Sequence, residues 1–556
     1  MDTGKHVDRY TRRSGTRNSY RASRIAHLAT RIAHRTLFIL HLSSFILVSC
    51  GPAPSSSTPT SQFSAPFSIS TRDPNAPLPT PFGPVTSTFT FTPLPTFTPT
   101  ITPTSTRAPD TATSIPPVGG TGEGSAPILA RPFYNVYATV DYDAHTVEVD
   151  EAIIYPNLTG VPLNEIVIAV EPMLYSGAFT LTNLSVDGIF RTDYSLATHR
   201  LTIPLAQPLA PGKQISLVLE FNINIPVKQK ANTFGWLSYQ TNLTDWIPFV
   251  VPYDLSAGWI LHDFMPFGEH LVYDSADFDV NLRFANPSSA PVVASPALAE
   301  SNAEWTRYRL NGARTFALSM SREFLVDESA VGAVVIRTYY FAGHEDAASK
   351  MTHVATQAVG LFEAKFARYP YPVLNVVELD YNDGQENDGL VFLSSAFFDA
   401  YNGGTKNNMV TIGVHEIAHN WWFGLVGNDQ ATEPWLDEAM ALYSERIFFE
   451  YTSPTQLDWW WQFRVNYFGP NGYVDMQIYD AVSFRDYTNA AYLNGATFIE
   501  DLRVRMGDDD FYRFIKDYAG QMSHRRATAN DFFAIARQHT TADISDLIAA
   551  YFQNSH

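Results

Sequence analysis

The sequence predicts a multidomain α+β protein: an antiparallel β-sheet domain over residues 127–335, followed by a mainly helical domain over 336–556. Two periodicities and one change of composition predict it. From about 127 to 335 apolar residues alternate with polar ones, as in "NVYATVDYDAHTVEVDEAIIYPN", the period of half-buried strands. After about 336 apolar residues recur at helical spacing. Before 127 neither period is present, and 16 of the 36 prolines fall between 51 and 120.

The first 50 residues hold nine Lys or Arg against two Asp or Glu, followed by "LFILHLSSFILVS" at 37–49. A basic stretch before a short apolar run is the pattern of a secretory signal, expected over 1–49. The run is shorter than the roughly 20 residues a membrane-spanning helix needs. It ends in Leu47-Val48-Ser49-Cys50-Gly51, with the only cysteine of the chain. That ending resembles the lipobox of bacterial lipoproteins, and the resemblance implies cleavage before Cys50, lipid attachment to it, and folded domains held outside the cytoplasm on a bacterial membrane. Residues 50–126, typified by "TSTFTFTPLPTFTPTITPTSTRAP", cannot bury a core and read as an extended linker without fixed structure.

The net charge is −19; without residues 1–50 the rest carries 28 basic against 54 acidic residues, a net −26. Such acidity makes nucleic acid an unfit partner. A single cysteine excludes an intramolecular disulfide and a cysteine-based metal site. In the β domain the expected strands include "EIVIAVEP", "RLTIPLA", "ISLVLEFNINIP" and "DFDVNLRFANP". Farther on, "HEDAASKMTHVATQAVGLFEAKFARYP" has helical spacing up to Pro370 and "YPVLNVVELD" reads as a strand. Helices are expected over 409–424, 435–451, 491–507 and 529–551.

The chemistry concentrates in "HEIAHNWWFGLVGNDQATEPWLDEAMALYSE", residues 415–445. His415 and His419 stand four positions apart, so a helix places both imidazoles on one face, where two neutral nitrogens can meet one metal ion. Glu416 leaves the helix about 100° away and can address a water without binding the metal. Glu438, on the next helix, supplies a third ligand. Glu445, seven residues farther on the same face, is a candidate acceptor for a ligand histidine. Two imidazoles and one carboxylate suit zinc best, one ion per chain.

These residues resemble the gluzincin zinc peptidases, in particular peptidase family M1, the aminopeptidase N-like enzymes. "YPYPVLNVVELDYNDGQENDGLVFLSS" is similar to that family's strand with the motif Gly-x-Met-Glu-Asn, Glu386 standing at the glutamate. "AAYLNGATFIEDLRVRMGDDDFYRFIKDY" is similar to its Tyr-x-x-Gly-Ala helix, with Tyr492 before Gly495-Ala496. "DWIPFVVPYDLSAGWILHDFMPFGE" resembles the end of its β domain. The resemblance covers roughly 130–556. It implies a thermolysin-like catalytic domain and a zinc-dependent aminopeptidase acting on peptide substrates. In it Glu416 would serve as general base, Tyr492 as donor to the developing oxyanion, and Glu386 as acceptor of the substrate's α-ammonium. The chain departs from the motif at Asp383-Gly384-Gln385, which lacks the first glycine and the methionine, and at Asp388. An aspartate there is expected to add bulk and charge near the amine site, which keeps open an endopeptidase with altered end recognition, or a tethered peptide-binding protein without turnover.

Overall fold

The computed structural model describes residues 129–556 apart from residue 303. The expected signal, Cys50 and the linker lie outside the described residues.

Alternation in the β half becomes burial. In the strand Phe133–Asp141 every second side chain is buried, and Val136, Ala138 and Val140 are fully enclosed. This strand sits inside an eight-stranded sheet. On one side it pairs with Thr146–Pro156, followed by Gln214–Asn224, Phe179–Val186 and Ile189–Phe190; on the other with Ala276–Phe284, followed by Thr306–Ala313 and Ala299–Ser301. The pairings are antiparallel except one: Phe133–Asp141 runs parallel to Ala276–Phe284. The sheet is thus antiparallel, as expected, with one parallel pair. The chain leaves the sheet for a long excursion and returns beside its first strand in the same direction, a pairing between distant segments that alternation does not encode. The excursion includes a four-stranded sheet built on Leu163–Ala169 and Arg200–Leu209.

A five-stranded mixed sheet opens the second half, in the order Leu325–Val331, Val334–Tyr340, Val373–Leu379, Leu390–Ser394, Gly384–Gln385. The expected change at 335/336 falls inside its second strand. All seven residues of Val373–Leu379 are buried, as a central strand covered on both faces requires. Gly384–Gln385 is one of its two edge strands. Helix α1, Glu345–Lys365, covers the sheet with its small and apolar face, Ala347, Met351, Ala355, Val359 and Phe362.

Helices α2 (Asn408–Ala418) and α3 (Trp435–Thr452) pack on each other and carry the 415–445 stretch. The Asn407 side chain caps α2, accepting from Val410 N at 3.0 Å. The expected helix to residue 424 stops at Ala418. Trp421 and Trp422 turn into the core, their indoles donating to Ala367 O and Ser444 Oγ, and Gly424 N returns to His419 O. A π-helical turn, Thr488–Asn494, precedes α4 (Gly495–Met506); α5 (Asp508–Gln521) follows. The expected helix over 529–551 is two, α6 (Ala529–Gln538) and α7 (Ser545–Tyr551). Trp435 of α3 meets Phe498, Phe532 and Phe552 of this C-terminal cluster and ties it to the site helix.

Candidate active site

His415 and His419 turn their rings toward each other, 4.9 Å between centroids, and Glu438 closes the triangle. Glu438 Oε2 lies 3.1 Å from His415 Nε2 and 3.5 Å from His419 Nε2. The three donor atoms lie within 4.8 Å of one another and all three residues are buried. The far side of each ring is fixed. His415 Nδ1 lies 3.2 Å from Glu445 Oε1, and His419 Nδ1 lies 2.9 Å from the Trp422 carbonyl. Acceptors at both Nδ1 atoms hold the proton there and leave the Nε2 lone pairs aimed at one point, the arrangement a metal requires. The early end of α2 is what brings the Trp422 carbonyl under His419.

Glu445 is fully buried rather than a surface charge. It accepts from Arg464 at 2.7 and 2.9 Å and from Trp460 Nε1 at 2.9 Å, so its negative charge is matched before it meets His415. Burial opposes the ionisation of Glu438, but the two imidazoles outweigh it and hold its carboxyl at about 2. Desolvation lowers His419, yet Glu386, Glu438 and Glu416 together raise it well above the usual histidine range. Three carboxyls, Glu386, Glu416 and Glu438, thus surround the two imidazoles, and a dication would be stabilised among them.

A second donor set, Glu386, Glu416 and His419, overlaps the first. Electrostatics separate them. Burial, with Glu386 and Asp383 adding to it, pushes the Glu416 carboxyl well above the usual carboxylate range despite His419, so Glu416 suits proton exchange and Glu438 suits ligation. Gly384 makes the room for Glu416: a Cβ built there would stand 2.2 Å from Glu416 Oε1.

The ring of Tyr492, on the π-helical turn, lies parallel to that of His415 at 6.1 Å, with Tyr487 edge-on at 5.4 Å. Burial, then Glu438 and Tyr487, push its phenol well above the usual range, so it keeps its proton and remains a donor. Gly495 brings this turn against α3, since a Cβ there would lie 2.5 Å from Ala439 Cβ.

A cavity of about 740 Å³ lies between the β half and the helical half, lined in part by Glu269, Tyr381, Gln385, Glu386, Gln430 and Phe484. Glu386 Oε2 accepts from Gln385 Nε2 at 2.7 Å and its Oε1 lies 3.4 Å from Gln430 Nε2. Burial raises the Glu386 carboxyl. The same cause, followed by the Glu386 charge, raises that of Glu269, whose Oε2 is buried without a hydrogen-bond partner.

The aspartates that depart from the motif are not at the cavity. Asp388 is fully buried and accepts from Tyr371 Oη and from Arg314 N, Thr315 N and Thr315 Oγ1, the last three bonds joining the two halves. Asp383 is buried as well, and desolvation raises its carboxyl well above the usual range, which keeps it neutral. The expected bulk and charge beside the amine site are therefore absent: both side chains pack inward, and Glu386 alone of this segment's acids lines the cavity.

Sequence reasoning missed Glu269 and Asp437. Glu269 lies in a loop of the β half, far from the motif in sequence, and nothing in its spacing marks it. Asp437, beside Glu438, is pushed by burial and the Glu438 charge to about 8 while Gln430 and Asn428 donate to it. Its adjacency to a ligand was the available signal.

A convergent His-His-Glu set, a buried glutamate of raised proton affinity and a sheet edge beside them are the parts that a gluzincin-type metal centre needs. Residues 351–551 match the peptidase family M1 domain. The chain is 23% identical to Aminopeptidase M1 of Arabidopsis thaliana over 244 residues, which are 41% of this chain and 27% of that protein. It is 32% identical to human Aminopeptidase N over 142 residues, 23% of this chain and 14% of that one. The chain thus spans less than a third of the length of these relatives. A crystal structure of an M1 zinc metallopeptidase from Deinococcus radiodurans superposes with TM-score 0.55 at 16% identity, covering 76% of this chain and 93% of that one. A variant of the Deinococcus protein, also at TM-score 0.55, was solved bound to a Tyr-Ser-Ala substrate.

Proposed function

We propose that the chain is a zinc-dependent aminopeptidase that removes residues from the free amino end of peptides. The observation that carries this reading is the placement of two carboxyls that no lysine or arginine pairs among the described residues, Glu386 and Glu269, on the cavity wall within electrostatic reach of the His415–His419–Glu438 cluster. An α-ammonium set between them is held near the metal ligands, with the first peptide bond beside them. The names of the Arabidopsis and human relatives, and the tripeptide bound by the Deinococcus protein, support the same substrate class.

Zinc held by His415 Nε2, His419 Nε2 and Glu438 would supply Lewis acidity, polarising the scissile carbonyl and acidifying a water. Glu416 removes a proton from the attacking water, its raised proton affinity suiting the task, and returns that proton to the leaving nitrogen. Tyr492 donates from its hydroxyl to the carbonyl oxygen as negative charge builds there. Glu386 and Glu269 orient the amino terminus, and Glu445 keeps the His415 ring in place.

Asp383 and Asp388 pack away from the cavity, which favours exopeptidase action over altered end recognition. Comparing hydrolysis of a peptide with its N-acetylated form tests the reading. We expect the free peptide to be cleaved and the acetylated one spared; equal rates overturn it. We further propose that Cys50 carries the lipid that tethers the enzyme outside the cytoplasm of a bacterial cell, a reading supported by Leu47–Gly51 alone. Metabolic labelling with a fatty acid, lost in Cys50→Ser, checks it.

A further inference from the structure

The β half contains a second convergence of two histidines and a glutamate. Glu171 begins the single turn Glu171–Leu174 after the strand Leu163–Ala169. His199 stands in the turn between Ser195–Ala197 and Arg200–Leu209, where Thr198 takes a φ of 52°. His270 follows Glu269 in the loop that borders the cavity. The two imidazoles are 5% and 7% exposed. His199 Nδ1 lies 3.2 Å from Glu171 Oε2, and His270 Nε2 lies 3.1 Å from Glu171 Oε1. The rings are parallel within 8° at 5.7 Å, and the three donor atoms lie within 4.8 Å of one another.

These spacings match those of the first cluster, 3.1 and 3.5 Å. Ligand atoms about 2.0–2.1 Å from a tetrahedral zinc stand about 3.4 Å apart, so both clusters have the size of a metal site. His270 Nε2 is buried and close to Glu171 Oε1 without the alignment of a hydrogen bond. A nitrogen and an oxygen at that distance, with the His199 nitrogen beside them, can all reach one metal ion. Asp245, on the same cavity wall, adds negative charge nearby.

We propose that Glu171, His199 and His270 form a second divalent-metal site, for zinc by its donor set, with its open position toward the cavity. Its effect is positional. It ties the loop ending in Glu269-His270 to two turns of the β half and so fixes Glu269 on the cavity wall.

Chelator-stripped protein titrated with Zn²⁺ by calorimetry tests this. The unaltered chain is expected to take up about two ions. The double variant H415A/H419A retains about one, accompanied by a Zn²⁺-dependent rise in Tm. Adding Glu171→Gln, which keeps volume and hydrogen-bonding capacity, abolishes both the uptake and the rise, with an unchanged circular dichroism spectrum. His199→Ala in place of Glu171→Gln does the same. A double variant that takes up no Zn²⁺, or triple variants that take it up undiminished, overturns the proposal. The catalytic centre is judged apart from it: Glu171→Gln alone retains about one ion, released by His415→Ala.

Discussion

Glu438 and Glu445 on α3, and Glu386 and Glu269 on the cavity wall, are four buried or nearly buried carboxyls in one neighbourhood with opposite surroundings. Two imidazoles face Glu438; Arg464, Trp460 and His415 enclose Glu445, and both are held below the usual carboxylate range. Glu386 accepts from the neutral amide of Gln385, with Gln430 and the His419 ring beside it, Glu269 has an oxygen with no hydrogen-bond partner, and burial raises both. Burying a carboxylate without a cation is costly, and on a cavity wall that cost is relieved when a cation enters. The metal wall is completed by the chain, except for its ion. The wall of Glu386 and Glu269 is, in the proposed function, completed by the substrate's ammonium.

Changes on each wall should therefore have different signatures. Glu416→Gln, which removes the proton carrier between the walls, is expected to lower kcat by about 10²–10⁴ with zinc content unchanged, read by steady-state kinetics and metal analysis. Tyr492→Phe is expected to lower kcat by about 10²–10³ and leave KM nearly unchanged, because its hydrogen bond strengthens as charge develops. Glu386→Ala should lower kcat/KM for free peptides by about 10², the cost of leaving a buried ammonium half-paired, and leave the acetylated peptide unaffected. A loss equal for both peptides would break the division between the walls. Glu445→Gln should weaken zinc binding by about 10–100-fold in a competition titration, with end selectivity preserved.

A carboxyl that neither an ion nor a substrate completes provides the smallest effect. Glu433 accepts from Ala529 N at the start of α6, and burial pushes it to about 7. Its folded value lies above its unfolded one, so its contribution to stability is full below about pH 4.5 and is lost as pH rises through about 7. Glu433→Gln has no such loss. Its Tm should exceed that of the parent by about 1–3 °C at pH 8, with the advantage gone at pH 4, measured by thermal melts.

Helical spacing was enough to place His415, Glu416 and His419 on one short helix and Glu438 with Glu445 on another, because those contacts repeat at fixed local offsets. Alternation was likewise enough for the strands of the β half, where one face is buried and the other is wet. Tertiary structure decided what depends on segments far apart in the chain. It ended α2 at Ala418, since two tryptophans had to enter the core, and so supplied the Trp422 carbonyl to His419. It turned Asp383 and Asp388 inward, Asp388 being claimed by Arg314, Thr315 and Tyr371, and it carried Glu269 from the β half to face Glu386. None of these has a period, and each is set by which distant groups remain to be paired once the local elements have formed.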